Sequence, residues 1–300
     1  MTHTARKNKI RTKPSEKVFT VVNYIILISI NIICLYPMLF VAFASFSNSN
    51  LLMQHSGLLI KPLGFNLEAY KRVFANPMIG QGYLNTLFIL VVGVSLSVIT
   101  TAIGAYALSR RGVMWNKALN MIIAFTMFFS GGMIPFYLNL QQLHLTGTRW
   151  GLIIPFLVST YNLIILRTSF ASIPESLFEA AYIDGAGHMR TLVQIVMPLS
   201  KAVLAVMVLY YGVSIWNGWF WASTILRDRS MYPLQVILRE ILLQNSAGEM
   251  ATGTATGDTE AIAESIKYAT IMVATVPILC VYPFIQKHFE KGVMIGAVKE

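Results

Sequence analysis

Residues 173–198 read IPESLFEAAYIDGAGHMRTLVQIVMP, the longest well-polarised interruption between the apolar runs of this chain. The pattern predicts two short helices bent around glycines. Ser172 and Glu175 have the spacing of a capping box, in which a hydroxyl and a carboxylate satisfy free backbone N–H groups. Pro174 falls near the helix start, where a missing N–H costs little. Gly185 and Gly187 break the run, and Pro198 ends the second segment. An L-shaped element of this kind, set between membrane spans, suits docking into a partner that moves.

What flanks the stretch fixes the class. Of 300 residues, 55% are hydrophobic and 12% charged, with a mean hydropathy of +0.61; soluble domains carry about 25% charged residues. The expected fold is all-α and polytopic, with six transmembrane helices near 21–46, 84–108, 118–140, 151–170, 202–225 and 268–286. Each is long enough to cross about 30 Å of hydrocarbon. Pro37 is expected to kink the first, while Gly131, Gly132, Pro135 and Pro155 interrupt the third and fourth. Such breaks are tolerated where they face protein or a wet cavity. The expected division is a basic segment 1–20, a six-helix transmembrane body 21–287 and a tail 288–300, with the polar loop at 171–200.

Charge sets the orientation. Arg6, Lys7, Lys9, Arg11, Lys13 and Lys17 crowd the start, and the apolar run behind them is too long for a cleaved signal. Segments 1–17, 109–117, 167–201 and 286–300 hold fifteen Lys/Arg, against eight in the longer total of 47–83, 141–150 and 226–267. Both termini and the 171–200 loop are therefore expected on the cytoplasmic side of a cell membrane. The loops 47–83 and 226–267 then lie outside. Residues 65–74 suggest an amphipathic helix, 232–240 a helix start, and 247–258 a flexible Gly/Ala/Thr stretch. These loops either receive an external protein or simply connect spans. The net charge of +10 does not indicate nucleic acid, because the aromatics lie in the apolar runs and not among the basic residues.

No catalytic constellation is visible. The five histidines are scattered without metal spacing, and Cys34 and Cys280 sit apart in apolar runs as packing residues. No phosphate loop with Gly-Lys-Ser/Thr occurs, so the chain is not expected to hydrolyse ATP. The acidic residues fall in loops or at span ends, which weakens an ion-coupled carrier. A neutral path lined by aromatics and amides suits a hydroxyl-rich solute. The fifth span offers Tyr210, Tyr211, Ser214, Trp216, Asn217, Trp219 and Trp221, as path residues or as an interfacial aromatic belt. Asn85 and Asn162 are either further polar positions or, as the better fit, helix–helix hydrogen-bonding residues.

The spacing Glu179-Ala180-Ala181, then Gly185, then Ile195, then Met197-Pro198 resembles the EAA loop of ABC importer permeases, with Met197 where leucine is usual. Trp216-Asn217 resembles a pair found in carbohydrate-importer permeases, and the ending 291–300 resembles that of oligosaccharide and maltose-type members. The resemblance implies a type I permease coupled to its ATPase through Glu179, Ala180, Ala181, Asp184, Gly185, Ile195 and Pro198. It places Tyr210, Ser214, Trp216, Asn217 and Trp219 on the solute path, and Lys291, Gly292, Gly296 and Lys299 in a tail that reaches the ATPase. It further implies a heterodimer with a second homologous permease, two ATP-binding cassette subunits that use ATP and Mg, and an extracytoplasmic solute-binding protein. This chain itself would bind no cofactor or metal. An importer for amino acids or polyamines is the alternative, and an ion-coupled carrier or channel a more distant one.

Overall fold

The computed structural model describes residues 14–110, 112–251, 263–281 and 283, and every regular element among them is helical. In chain order these are α1 Pro14–Ser45, α2 Ser49–Met53, α3 Glu68–Ala75, α4 Pro77–Ser109, α5 Asn116–Phe125, α6 Met133–Gln142 and α7 Thr160–Ala171. There follow α8 Glu175–Ile183, α9 His188–Thr191, α10 Met197–Leu199, α11 Lys201–Trp216, α12 Trp219–Ile225 and α13 Leu234–Ala251. The last, α14, is Ala263–Val281. A π-helical turn, Leu192–Val196, joins α9 to α10.

Three helices, Ser15–Ser45, Pro77–Ser109 and Ala263–Val281, are each long and apolar enough to cross a membrane. Two bent pairs pass the same test jointly: Arg149–Phe156 with Thr160–Ala171 at 45°, and His188–Leu199 with Lys201–Trp216 at 88°. The expected span at 118–140 is instead two short helices, because Gly132 takes φ 85° ahead of α6, a backbone that L side chains rarely adopt. The span expected at 202–225 likewise stops at Trp216 and resumes at Trp219. The helix expected over 65–74 begins at Glu68, whose N–H is taken by the Asn66 side chain at 2.8 Å. Part of the stretch read as flexible, 247–251, continues α13.

The chain divides into two compact units. In the first, Met1–Tyr70 with Thr254–Met272, Ala44, Leu52 and Leu59 are buried against Phe40, Phe43, Leu63 and Tyr268. Tyr36 accepts the Leu59 N–H at 3.1 Å, and Ser47 accepts that of Leu63 at 3.0 Å, which closes the loop after α1.

The second unit, Lys71–Gly253 with Val273–Glu300, is built on α4. Asn76 caps it by accepting the Met78 N–H at 3.0 Å, and Pro77 opens its first turn. Small residues line its buried side: Gly93, Ser97, Thr101, Ala102 and Ala105. They let backbones approach closely where lipid gives helices little hydrophobic drive to associate. Against them pack Leu163, Leu166 and Phe170 of α7, and Met207 and Tyr211 of α11. Tyr211 ties all three elements, bonding Thr101 Oγ1 at 2.7 Å and accepting the Ser159 N–H at 3.0 Å.

Candidate functional site

The polar stretch at 173–198 folds as the L that its sequence suggests, with a different cap. Ser172 closes α7 and donates its hydroxyl to Ser169 O, while Pro174 precedes α8 with no side-chain cap. The predicted capping box is therefore absent, because α8 starts at Glu175 and Ser172 belongs to the end of α7; the Glu175 carboxylate pairs instead with Arg110. The Arg110 guanidinium also lies 3.5 Å from the Phe178 ring centroid. One arginine at the end of α4 thus holds the first turn of α8 by charge and by a cation–π contact.

Gly185 ends α8 at φ 73°. The Ala186 N–H reaches Ala181 O at 2.9 Å and the Gly185 N–H reaches Tyr182 O at 3.0 Å, the paired bonds of a Schellman stop. Gly187, at φ −72°, has ordinary backbone and needs no glycine. Pro198 does not end its segment. It cannot donate to Gln194 O and its ring crowds that carbonyl; the wider π-turn just before it absorbs both problems. The chain then turns by 88° at Ser200 into α11.

The two faces of α8 differ. Phe178 and Ala181 are buried, whereas Glu179, Ala180 and Asp184 are exposed, and Tyr182 and Ile183 stand 82% and 84% exposed. Ala181 is thus a packing position, while Glu179 and Ala180 lie on the open face. Ile195 is half-buried and Pro198 exposed. Lys291, Gly292, Gly296 and Lys299 fall outside the described residues.

The fifth-span residues disperse. Ser214 lines a cavity of about 300 Å³ together with Thr86, Phe156, Gly218 and Trp221. Trp216 is buried and donates Nε1–H to Ala274 O at 3.2 Å. Trp219 stacks under the Arg239 guanidinium at 3.7 Å, and Tyr210 lies 6.2 Å from the Tyr161 ring. Asn217 bonds Val213 O of its own helix at 3.0 Å, which satisfies its amide locally. Of the set expected on the path, only Ser214 lines this cavity, joined by Trp221.

Sequence reasoning missed two knots on α4. At its Ser109 end sits Arg110, which the sequence offered only as part of a charge count. At its Pro77 end Asn85 donates to Ser230 O at 2.8 Å and Tyr232 O at 3.0 Å, and accepts from Arg149 Nη2 at 2.8 Å. Thr86 Oγ1 accepts the Leu234 N–H at 2.8 Å. Gly82 belongs to this knot: a Cβ there would lie 3.1 Å from Leu234 Cα and 2.5 Å from Ile237 Cδ1. Asp228 caps the adjacent turn, and the Ser230 N–H holds its carboxyl below the ordinary 3.8. Asn85 was read as a helix–helix bonding residue; its partners are loop carbonyls and an arginine, which no local pattern signals.

Residues 11–295 match the family model described as binding-protein-dependent transport system inner membrane component. The polygalacturonan/rhamnogalacturonan transport system permease protein YtcP of Bacillus subtilis (strain 168) is 38% identical over 289 residues, which covers 95% of this chain and 99% of that one. Protein LplC of the same organism is 40% identical over 288 residues, covering 94% and 95%. Among solved structures, a chain of a bacterial ABC transporter involved in the import of the acidic polysaccharide alginate superposes with TM-score 0.83 at 35% identity. It covers 94% of this chain and all of that one.

Proposed function

Because this chain belongs to the binding-protein-dependent transport system inner membrane components, we propose that it is the permease subunit of an ABC importer for oligosaccharides, acidic ones included. It forms half of a translocation pathway with a second, homologous permease. Two cytoplasmic ATP-binding cassette subunits supply the energy, and an extracytoplasmic binding protein delivers the solute. Both termini and α8 face the cytoplasm. The cargo class follows the relatives, whose names include polygalacturonan/rhamnogalacturonan and alginate.

The observation that carries the coupling role is the two-faced α8: an open face of Glu179, Ala180, Tyr182 and Ile183, and a buried face fastened to α4 through Arg110. The open face docks on the ATPase. Closure of the ATPase dimer displaces α8, the Arg110–Glu175 pair passes that displacement to α4, and the rigid turn at Ser200 passes it to α11. Since α4, α7 and α11 share one core, they rock together around the Ser214 cavity, a shear-type switch.

The test is a pull-down of the tagged chain in mild detergent followed by mass spectrometry. A second permease and an ATPase are expected. Glu179→Arg with Gly185→Val should lose the ATPase and keep the permease. Recovery of the chain alone, moving sugar into liposomes without ATP, would sink the reading.

A further inference from the structure

A second cavity, of about 500 Å³, opens at the Ser109 end of α4 on the buried side of α8, and neither the coupling face nor the solute path uses it. Its walls hold the cations Arg110, Lys117 and Arg167 against a single carboxylate, Glu175. Glu175 is already paired with Arg110. Arg167 reaches from α7 to Leu108 O through Nε at 3.3 Å, and among the described residues no carboxylate pairs with its guanidinium. Among the described residues Lys117 has no carboxylate partner. Two of three cations are thus uncompensated in a concave site, the arrangement that recognises a phosphate by Arg fork and Lys point charge.

The segment between the lining residues Gly112 and Asn116 bears on what would carry the phosphate. Met114 and Trp115, which lead into this wall, are 78% and 72% exposed, and Val113 is 43% exposed. Trp115 sits at φ 65°, with Asn116 behind it anchored to Leu108 O and Arg110 O at 3.1 and 2.8 Å. An exposed tryptophan beside the end of a membrane-length helix belongs at the level of lipid headgroups. Basic pockets between spans bind anionic headgroups for the same reason.

We propose that this cavity binds a phosphate group, delivered by an anionic phospholipid whose glycerol and upper acyl carbons rest on Met114 and Trp115. The ATPase-docking face of α8 is opposite, so headgroup and ATPase bind together. The phosphate competes with Glu175 for Arg110, so lipid composition sets how firmly α8 is held. Phosphate binding rests on membrane placement alone, whereas its effect on α8 rests on the proposed coupling role; a binding measurement tests the first without the second.

The experiment is a native mass spectrometry titration of the full delipidated chain with phosphatidylglycerol or phosphatidylcholine of identical acyl chains, with inorganic phosphate as competitor. Phosphatidylglycerol should bind about tenfold more tightly than phosphatidylcholine. Lys117→Gln, at an exposed position, should remove most of that preference, Lys117→Arg should restore it, and Arg167→Gln should weaken it further. Resistance to millimolar inorganic phosphate identifies the lipid as the source, whereas full displacement by it identifies a soluble phosphate in the same site. Equal retention of both lipids, or a preference that survives Lys117→Gln and Arg167→Gln in a chain of unchanged Tm, overturns the proposal.

Discussion

The two ends of α4 are fastened by different chemistry. At the Pro77 end, Asn85 and Thr86 bond backbone groups at Ser230, Tyr232 and Leu234, and Gly82 lets α13 close directly onto the helix. At the Ser109 end, a part-exposed ion pair and a ring contact hold α8, whose far face is open. Backbone-directed amide bonds are short-ranged and lose their value once the geometry shifts. An ion pair beside an aromatic face weakens gradually with displacement. The first end is the stiffer attachment; the second is the one suited, under the proposed coupling, to follow a partner bound to α8.

Replacing Arg110 by Ala should release α8 from the Ser109 end of α4. Solute transported per ATP hydrolysed is expected to fall about tenfold or more, a coupling loss of the usual allosteric size, with the complex still assembled on a sizing column. Gly82→Val attacks the fixed end, where Leu234 Cα cannot retreat. It should destabilise the chain by about 1–3 kcal/mol, read as a lower Tm in detergent. Asn85→Ala strands Arg149 Nη2 and two carbonyls, a cost of about 1–3 kcal/mol that solvation at the loop trims toward the lower limit. Gly185→Ala forces a left-handed alanine at about 1–2 kcal/mol; Gly185→Asn should recover part of the lost uptake. The smallest effect is Asn217→Ala: its amide bonds its own helix, so uptake should change less than about twofold.

Which features were legible follows from range. Local chemistry announced the L of α8 to α10, the glycine stop at 185 and the long apolar helices, because propensity, spacing and φ preference act within a few residues. Glu175 misled for the same reason: it has cap spacing to Ser172, yet the helix starts at Glu175 itself and its carboxylate pairs with Arg110, remote in sequence. The fifth span was legible as aromatic and polar but not in its partners, because composition does not say which way a ring points. Trp216 turns to Ala274 O and Trp219 to Arg239, leaving Ser214 and Trp221 at the cavity. Asn85 was recognised as a polar bonding position, but its partners lie 64 to 147 residues away, beyond any local pattern.

The most direct test measures, in proteoliposomes carrying the complete importer, solute moved per ATP hydrolysed alongside Tm for Arg110→Ala and Asn85→Ala. Arg110→Ala should lower the ratio with little change in Tm, and Asn85→Ala should lower Tm while the folded fraction keeps the ratio. A normal ratio in Arg110→Ala, or a collapsed one in Asn85→Ala at full stability, would contradict this difference between the two ends.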